Sequence, residues 1–205
     1  MALNNAAFNN LTPNAKLAMV GNRLGNPGLK NNQGSTFEVY DYIDVTATIG
    51  AKQTLRFFES VNTKTFPLTN LQQNQLQVGE ALAIQYIAFS RIEEVIATGA
   101  ISTQTALVTT VPGLCLSQFS ILLDNSRIIK VNSLTRANAA FNPKGGTFAN
   151  ALFFPDTDLT IPPQISFTSE LTIPTNSDTA PVGSKVYYGV HLFGTGAILN
   201  LKTNV

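Results

Sequence analysis

From residue 37 onward, turn-forming clusters of Gly, Pro, Asn and Asp break the chain at short intervals. The stretches between them are rich in β-branched and aromatic side chains. No stretch in this region holds a 3.6-residue apolar period long enough for an extended amphipathic helix. A chain punctuated in this way can bury its apolar side chains only by pairing strands, so it is predicted to be all-β. Residues 37–49 read as a strand with Glu38, Asp41 and Asp44 interspersed, and residues 54–58 as a second. Residues 81–90 (ALAIQYIAFS) are apolar enough for either a strand or a helix. Their β-branched and aromatic content, with Gly79 just before, favours a strand. Residues 103–111 form a further Thr/Val-rich strand. Residues 119–131 place two apolar runs around Asp124-Asn125-Ser126, a hairpin signature in which Asn125 suits positive φ.

Residues 148–154, 159–161 and 165–173 are strands delimited by Pro155, Pro162-Pro163 and Pro174, which mark strand ends or sheet edges. Residues 185–193 alternate, with Val186, Tyr188, Val190 and Leu192 on one face and Tyr187, His191 and Phe193 on the other. Residues 197–201 close the chain as a last strand. About eight to ten short strands of this kind make an antiparallel sandwich or barrel.

Residues 1–36 differ in kind. Asn recurs densely, and 25–28 and 31–34 are turn clusters. Between them Thr12-Pro13 reads as an N-cap followed by proline at the first helical position. Leu17, Val20 and Leu24 share one helical face, and Gly25 ends the helix. A helix this short is unstable alone and must dock on its own domain or on a neighbour. The predicted organisation is therefore an N-terminal arm with one short amphipathic helix (1–36) followed by a β-sandwich (37–205). An arm of this length points to a function across subunit boundaries; the alternative is a frayed terminus.

Charge narrows the function. Only 12% of residues are charged and the net charge is +1, about half the usual charged share, so no global basic field advertises nucleic acid. A polar but nearly uncharged surface suits faces covered by neighbours, because an amide costs less to desolvate than an ion; the competing reading is a compositional habit of the source. Lys16, Arg23 and Lys30 stand in the first 37 residues with no acid, the first carboxylate being Glu38. The lone Cys115 allows no internal disulfide and, within an apolar run, is expected to be a buried small hydrophobe. The start of the chain lacks the pattern of a secretory leader, so synthesis in a cytoplasm is expected.

Tests for chemistry end in structural readings. His191 is the only histidine, so any triad must use it with Cys115 or a serine, yet no motif surrounds it. One His and one Cys do not make a zinc site. Asp156-Thr-Asp158 begins like a calcium loop but lacks the following acid and glycine. Glu93 and Glu94 are adjacent and, on a strand, point to opposite faces. Lys144-Gly-Gly is a turn, not a phosphate loop. No catalytic residue, metal ligand or cofactor site is assigned, and no enzymatic activity is expected. Tyr40, Tyr42, Tyr187 and Tyr188 could line a glycan-binding face, with core or sheet packing as the alternative.

Residues 54–80, the Asp158-Leu-Thr-Ile-Pro-Pro-Gln-Ile-Ser-Phe stretch and Leu192-Phe-Gly-Thr-Gly resemble segments of virion proteins from phages of Bacteroidetes-type hosts. The resemblance covers about two-thirds of the chain. It implies a jelly-roll-like sandwich that self-assembles into a shell around a genome, within a virion put together in the host cytoplasm. It also implies copies of itself and other virion proteins as partners. On that reading Leu17, Val20 and Leu24 anchor the arm in a neighbour, while Lys16, Arg23 and Lys30 face nucleic acid or an internal membrane with weak, salt-sensitive attraction. A fibre, decoration or tail component, or a carbohydrate-binding module, would share much of this composition.

Overall fold

The computed structural model describes residues 33–95, 106–109, 111–134, 151–156 and 159–198. Over these the chain forms ten strands and two short 3-10 turns, with no α-helix. The strands are β1 (Gln33–Asp44), β2 (Gln53–Phe57), β3 (Glu80–Val95), β4 (Ala106–Thr109), β5 (Gln118–Leu123), β6 (Ser126–Val131), β7 (Ala151–Phe153), β8 (Leu159–Ile161), β9 (Phe167–Ile173) and β10 (Ser184–Ile198). They make two antiparallel sheets. The larger runs β1-β10-β3, with β4, β7 and β8 each paired to β3; the smaller runs β2-β9-β5-β6.

The pairing is nested. β5 pairs with β6, outside it β3 with β7 and β8, then β2 with β9, then β1 with β10. The chain is thus one long hairpin, bent at Asp124-Asn125 and wrapped so that β10 also meets β3 and β9 also meets β5. Counting β7 and β8 as one interrupted position, with β4 an addition within the β3–β5 connection, this is the eight-position wrapping of a jelly roll. The bend has the expected chemistry: Asp124 and Asn125 have φ of 43° and 64°, which a two-residue hairpin turn requires.

Strand limits have local causes. β1 begins at Gln33, ahead of Phe37, and stops at Asp44 rather than running on to Ile49. Asp44 Oδ1 accepts hydrogen bonds from Thr46 N (3.0 Å) and Thr46 Oγ1 (2.6 Å), and this local turn replaces the ladder. β3 is a strand throughout, with Gln85 as the extra residue of a bulge opposite Phe193 and Gly194. Pro155, Pro162 and Pro174 each follow a strand end. Residues 197–198 continue β10 and are not a separate strand, because Ala197 and Ile198 keep register with both β1 and β3. Cys115 is exposed, correcting the expectation of burial. It lies in the 3-10 turn Leu114–Leu116, whose tight repeat turns only Leu114 inward.

The core lies between the sheets. Phe57, Phe58, Phe89, Phe119, Phe167 and Tyr188 are its largest fully buried side chains. An edge contact of Phe89 with Phe119 (5.1 Å) and a tilted one of Phe58 with Phe167 (5.1 Å) add to the area term. β9 alternates strictly, with Phe167, Ser169, Leu171 and Ile173 inward. Within that face Ser169 Oγ is buried without a hydrogen-bond partner among the described residues. On β1, Asp41 also points inward and is fully buried. Its carboxylate accepts from Phe58 N (2.8 Å), a residue held at φ 64°, and from Lys64 Nζ (2.8 Å). These bonds pin the start of the long β2–β3 connection against β1. That connection then covers the free edge of β1: Tyr42 N donates to Leu68 O (2.8 Å), while Asn70 accepts from Tyr40 N (2.9 Å) and donates to Glu38 O (2.7 Å). An otherwise open strand edge is thereby closed.

Connections sort to two ends. At one, Asn176 N donates to Gly50 O (3.0 Å), joining the β9–β10 and β1–β2 connections. At the other, Asp124 N meets Ser166 O (2.9 Å) and Phe167 N meets Asn74 O (2.8 Å), joining the hairpin bend to the β8–β9 and β2–β3 connections.

Candidate functional site: an aromatic face centred on His191

The outer faces of the two sheets differ in chemistry. On the smaller sheet, Glu170 pairs with Arg56 (3.3 Å) and Arg127 (3.5 Å), and the Thr54 and Thr172 hydroxyls share a hydrogen bond (2.9 Å). That face is a solvated polar surface. The outer face of the larger sheet carries rings instead, because alternation on β1, β10 and β3 turns Tyr40, Tyr42, His191, Phe193 and Tyr86 outward together.

The rings form a continuous ladder. Tyr40 stacks on His191 (5.3 Å), His191 lies parallel to Phe193 (6.0 Å), Phe193 stacks on Tyr86 (4.8 Å), and Tyr86 meets Phe154 just past β7 (5.9 Å). Gly189 makes room for the network beneath: a side chain there would overlap the Tyr42 ring, which lies across β10 toward β3. From this position Tyr42 Oη reaches His191 Nε2 (2.7 Å) and accepts from Ser90 Oγ (3.2 Å). His191 Nδ1 is 2.6 Å from Glu38 Oε1. An ionised carboxylate only accepts, so Nδ1–H donates to Glu38 and, in the neutral ring, Nε2 accepts from Tyr42. One imidazole thus links β1, β10 and, through Tyr42, β3.

Serine, histidine and carboxylate occur here in the order of a hydrolase triad, but the chemistry does not follow. Ser90 is fully buried, its Oγ is 3.4 Å from Nε2, and the Tyr42 hydroxyl holds that nitrogen at shorter range. A nucleophile must reach substrate as well as base. Burial raises the phenol pKa values of Tyr42, Tyr40 and Tyr86, and the Glu38 charge pushes each the same way; for Tyr42 the Ser90 hydrogen bond opposes. These phenols remain neutral donors, not bases. What the arrangement can do is offer flat apolar rings edged by Glu38 and His191.

The other sequence candidates disperse. Tyr187 shares the outer face, whereas Tyr188 is in the core, donating to Asp178 Oδ2 (2.6 Å); burial first, then that bond, drives its pKa far up. Glu93 pairs with Arg91 (3.1 Å), which also holds Asp178 (2.9 Å). Asp156 is exposed, and no group of three His, Cys, Asp or Glu among the described residues could hold a metal. Leu17, Val20, Leu24, Lys16, Arg23, Lys30, Lys144 and Asp158 lie outside the described residues.

The partners of His191 escape a sequence reading because Glu38, Tyr42 and Ser90 lie 153, 149 and 101 residues away. Gly189 within an alternating strand was the one local signal of a close approach. The class defined by fold and face is an all-β jelly-roll sandwich with one polar and one aromatic outer surface. Neither a scan against models of known protein families nor a search of curated proteins finds a match to this chain.

Proposed function

We propose that this chain is a structural subunit that assembles with copies of itself into a closed shell, as the capsid protein of a phage virion enclosing its genome. The observation that carries the reading is where the exposed large apolar side chains fall. Val78 (70% exposed) and Ile165 belong to connections at one end of the wrap, and Leu116 (69%) and Val182 to connections at the other, while Phe66 (81%) stands beside the edge of β1, two residues before Leu68. Single exposed apolar residues are ordinary on a monomer. The pairs at both ends, on a chain with 12% charged residues, give two sticky ends on one rigid body. Two different complementary patches make head-to-tail contacts that close into rings and shells when the rotation closes.

The resemblance to phage virion proteins points the same way. Other virion proteins are then further partners, and the basic residues Lys16, Arg23 and Lys30 give weak contact with nucleic acid or an internal membrane. Assembly takes place in the host cytoplasm. The test is the native mass of the purified chain across concentration and salt.

A second reading, a carbohydrate-binding module, draws on the ring ladder of Tyr40, Phe193 and Tyr86 with Glu38 at its margin. It predicts a monomer at every concentration whose tyrosine fluorescence changes on titration with oligosaccharides.

A further inference from the structure

The outer face of the smaller sheet holds a cleft of about 130 Å³ over β5, β6 and β9. Arg127 and Lys130 line it from β6. Three residues apart, they would point to opposite faces of a regular strand. A bulge prevents this. Lys130 lies opposite Ser120 and Arg127 opposite Leu122, so Ile128 is the extra residue. Ser120 and Leu122 are two apart on β5 and share a face, and the bulge turns both cations onto it. Their neighbours Phe119 and Ile121 fill the core, so that face is the outer one.

Ser120, only 6% exposed, forms the floor, and Gln118 and Asn132 add amide donors. Among the described residues that line the cleft, Glu170 is the one acid, level with Arg56 on β2 and Ser120 on β5. Arg56 holds it at 3.3 Å. Arg127 and the Ser120 hydroxyl reach it only at 3.5 Å, beyond good hydrogen-bond length. Lys130 has no acid within ion-pair distance among the described residues. Cations and neutral donors thus surround a space for one small group, with little to occupy them. A phosphate, with several acceptor oxygens and a negative charge, matches that set. We propose that this cleft binds a phosphate group, the chemistry shared by free phosphate and the phosphodiester backbone of a nucleic acid. Glu170 keeps the holding weak, because its charge opposes that of the ligand. The site needs only the folded domain and holds whether or not the chain assembles with copies of itself.

The full-length chain is titrated with inorganic phosphate by calorimetry at constant ionic strength, and separately with a fluorescent oligothymidylate by anisotropy. Saturable binding is expected, about fivefold weaker in Lys130→Met and in Arg127→Met, and about fivefold tighter in Glu170→Gln. Both cations are exposed, so replacing them leaves the sandwich intact. A gain in Glu170→Gln has no explanation in misfolding. The two titrations separate the sources. Binding of phosphate alone assigns the free ion. Binding of the oligonucleotide, with a log–log salt slope that falls by about 0.7 in Lys130→Met, assigns the nucleic-acid backbone. If neither binds, the proposal is overturned. Binding that Lys130→Met and Arg127→Met leave unchanged overturns it as well, because the anion is then held elsewhere on the chain.

Discussion

His191 is held by its two ring nitrogens and stacked between Tyr40 and Phe193, so its removal costs hydrogen bonds and ring contact together. His191→Ala is expected to destabilise the fold by about 2–4 kcal/mol, and Tyr42→Phe, which removes only the hydroxyl, by about 1 kcal/mol. Urea denaturation of both variants checks this, and equal effects would contradict the network. Asp41 gives a pH signature. Burial raises its carboxyl pKa above the usual 3.8, against its hydrogen bonds to Lys64 and Phe58 N. The folded chain therefore holds the proton more tightly than the unfolded one. The group's contribution to stability is full below 3.8 and falls as pH rises through the folded value. Lys64→Met leaves the ionised carboxylate without its counter-charge, a loss of about 3–5 kcal/mol at neutral pH. That deficit shrinks as the pH is lowered toward 3.8, where the raised pKa leaves Asp41 more protonated than not. Denaturant midpoints measured across this range test the sign, and a deficit that does not change with pH would contradict it.

Among the elements, the β5–β6 hairpin is the innermost pair of the nested wrap, and its two-residue turn holds both residues at positive φ. A β-branched residue there is strained, so Asn125→Val is expected to cost about 1–2 kcal/mol while Asn125→Gly is neutral or stabilising. Thermal melts of the two variants decide this, and equal melting points would show that the turn does not set the register. This hairpin was legible in sequence because turn and strands are contiguous, as were the alternation of β10 and the strand-ending prolines. The end of β1 was not, since Asp44 gives way to its own Asx turn with Thr46. The exposure of Cys115 was not legible either, because a 3-10 turn inside an apolar run leaves no periodic trace. The covering of β1 by Leu68 and Asn70 joins positions about 30 residues apart, which no local pattern encodes.

On the scale of the whole molecule, fold class was readable and wrapping was not, because propensity marks strands without saying which strands pair. The nested order brings the two termini of the described sheet, Gln33 and Ile198, side by side at one end. It also leaves Val78 and Ile165 exposed at one end and Leu116 and Val182 at the other, and separates a polar outer face from an aromatic one. Association through those ends is the central claim. Light scattering of the purified full-length chain, 22.0 kDa as a monomer, over a range of concentrations and salt tests it most directly. A defined oligomer or a megadalton particle is the expected result. A strict monomer under every condition would contradict it.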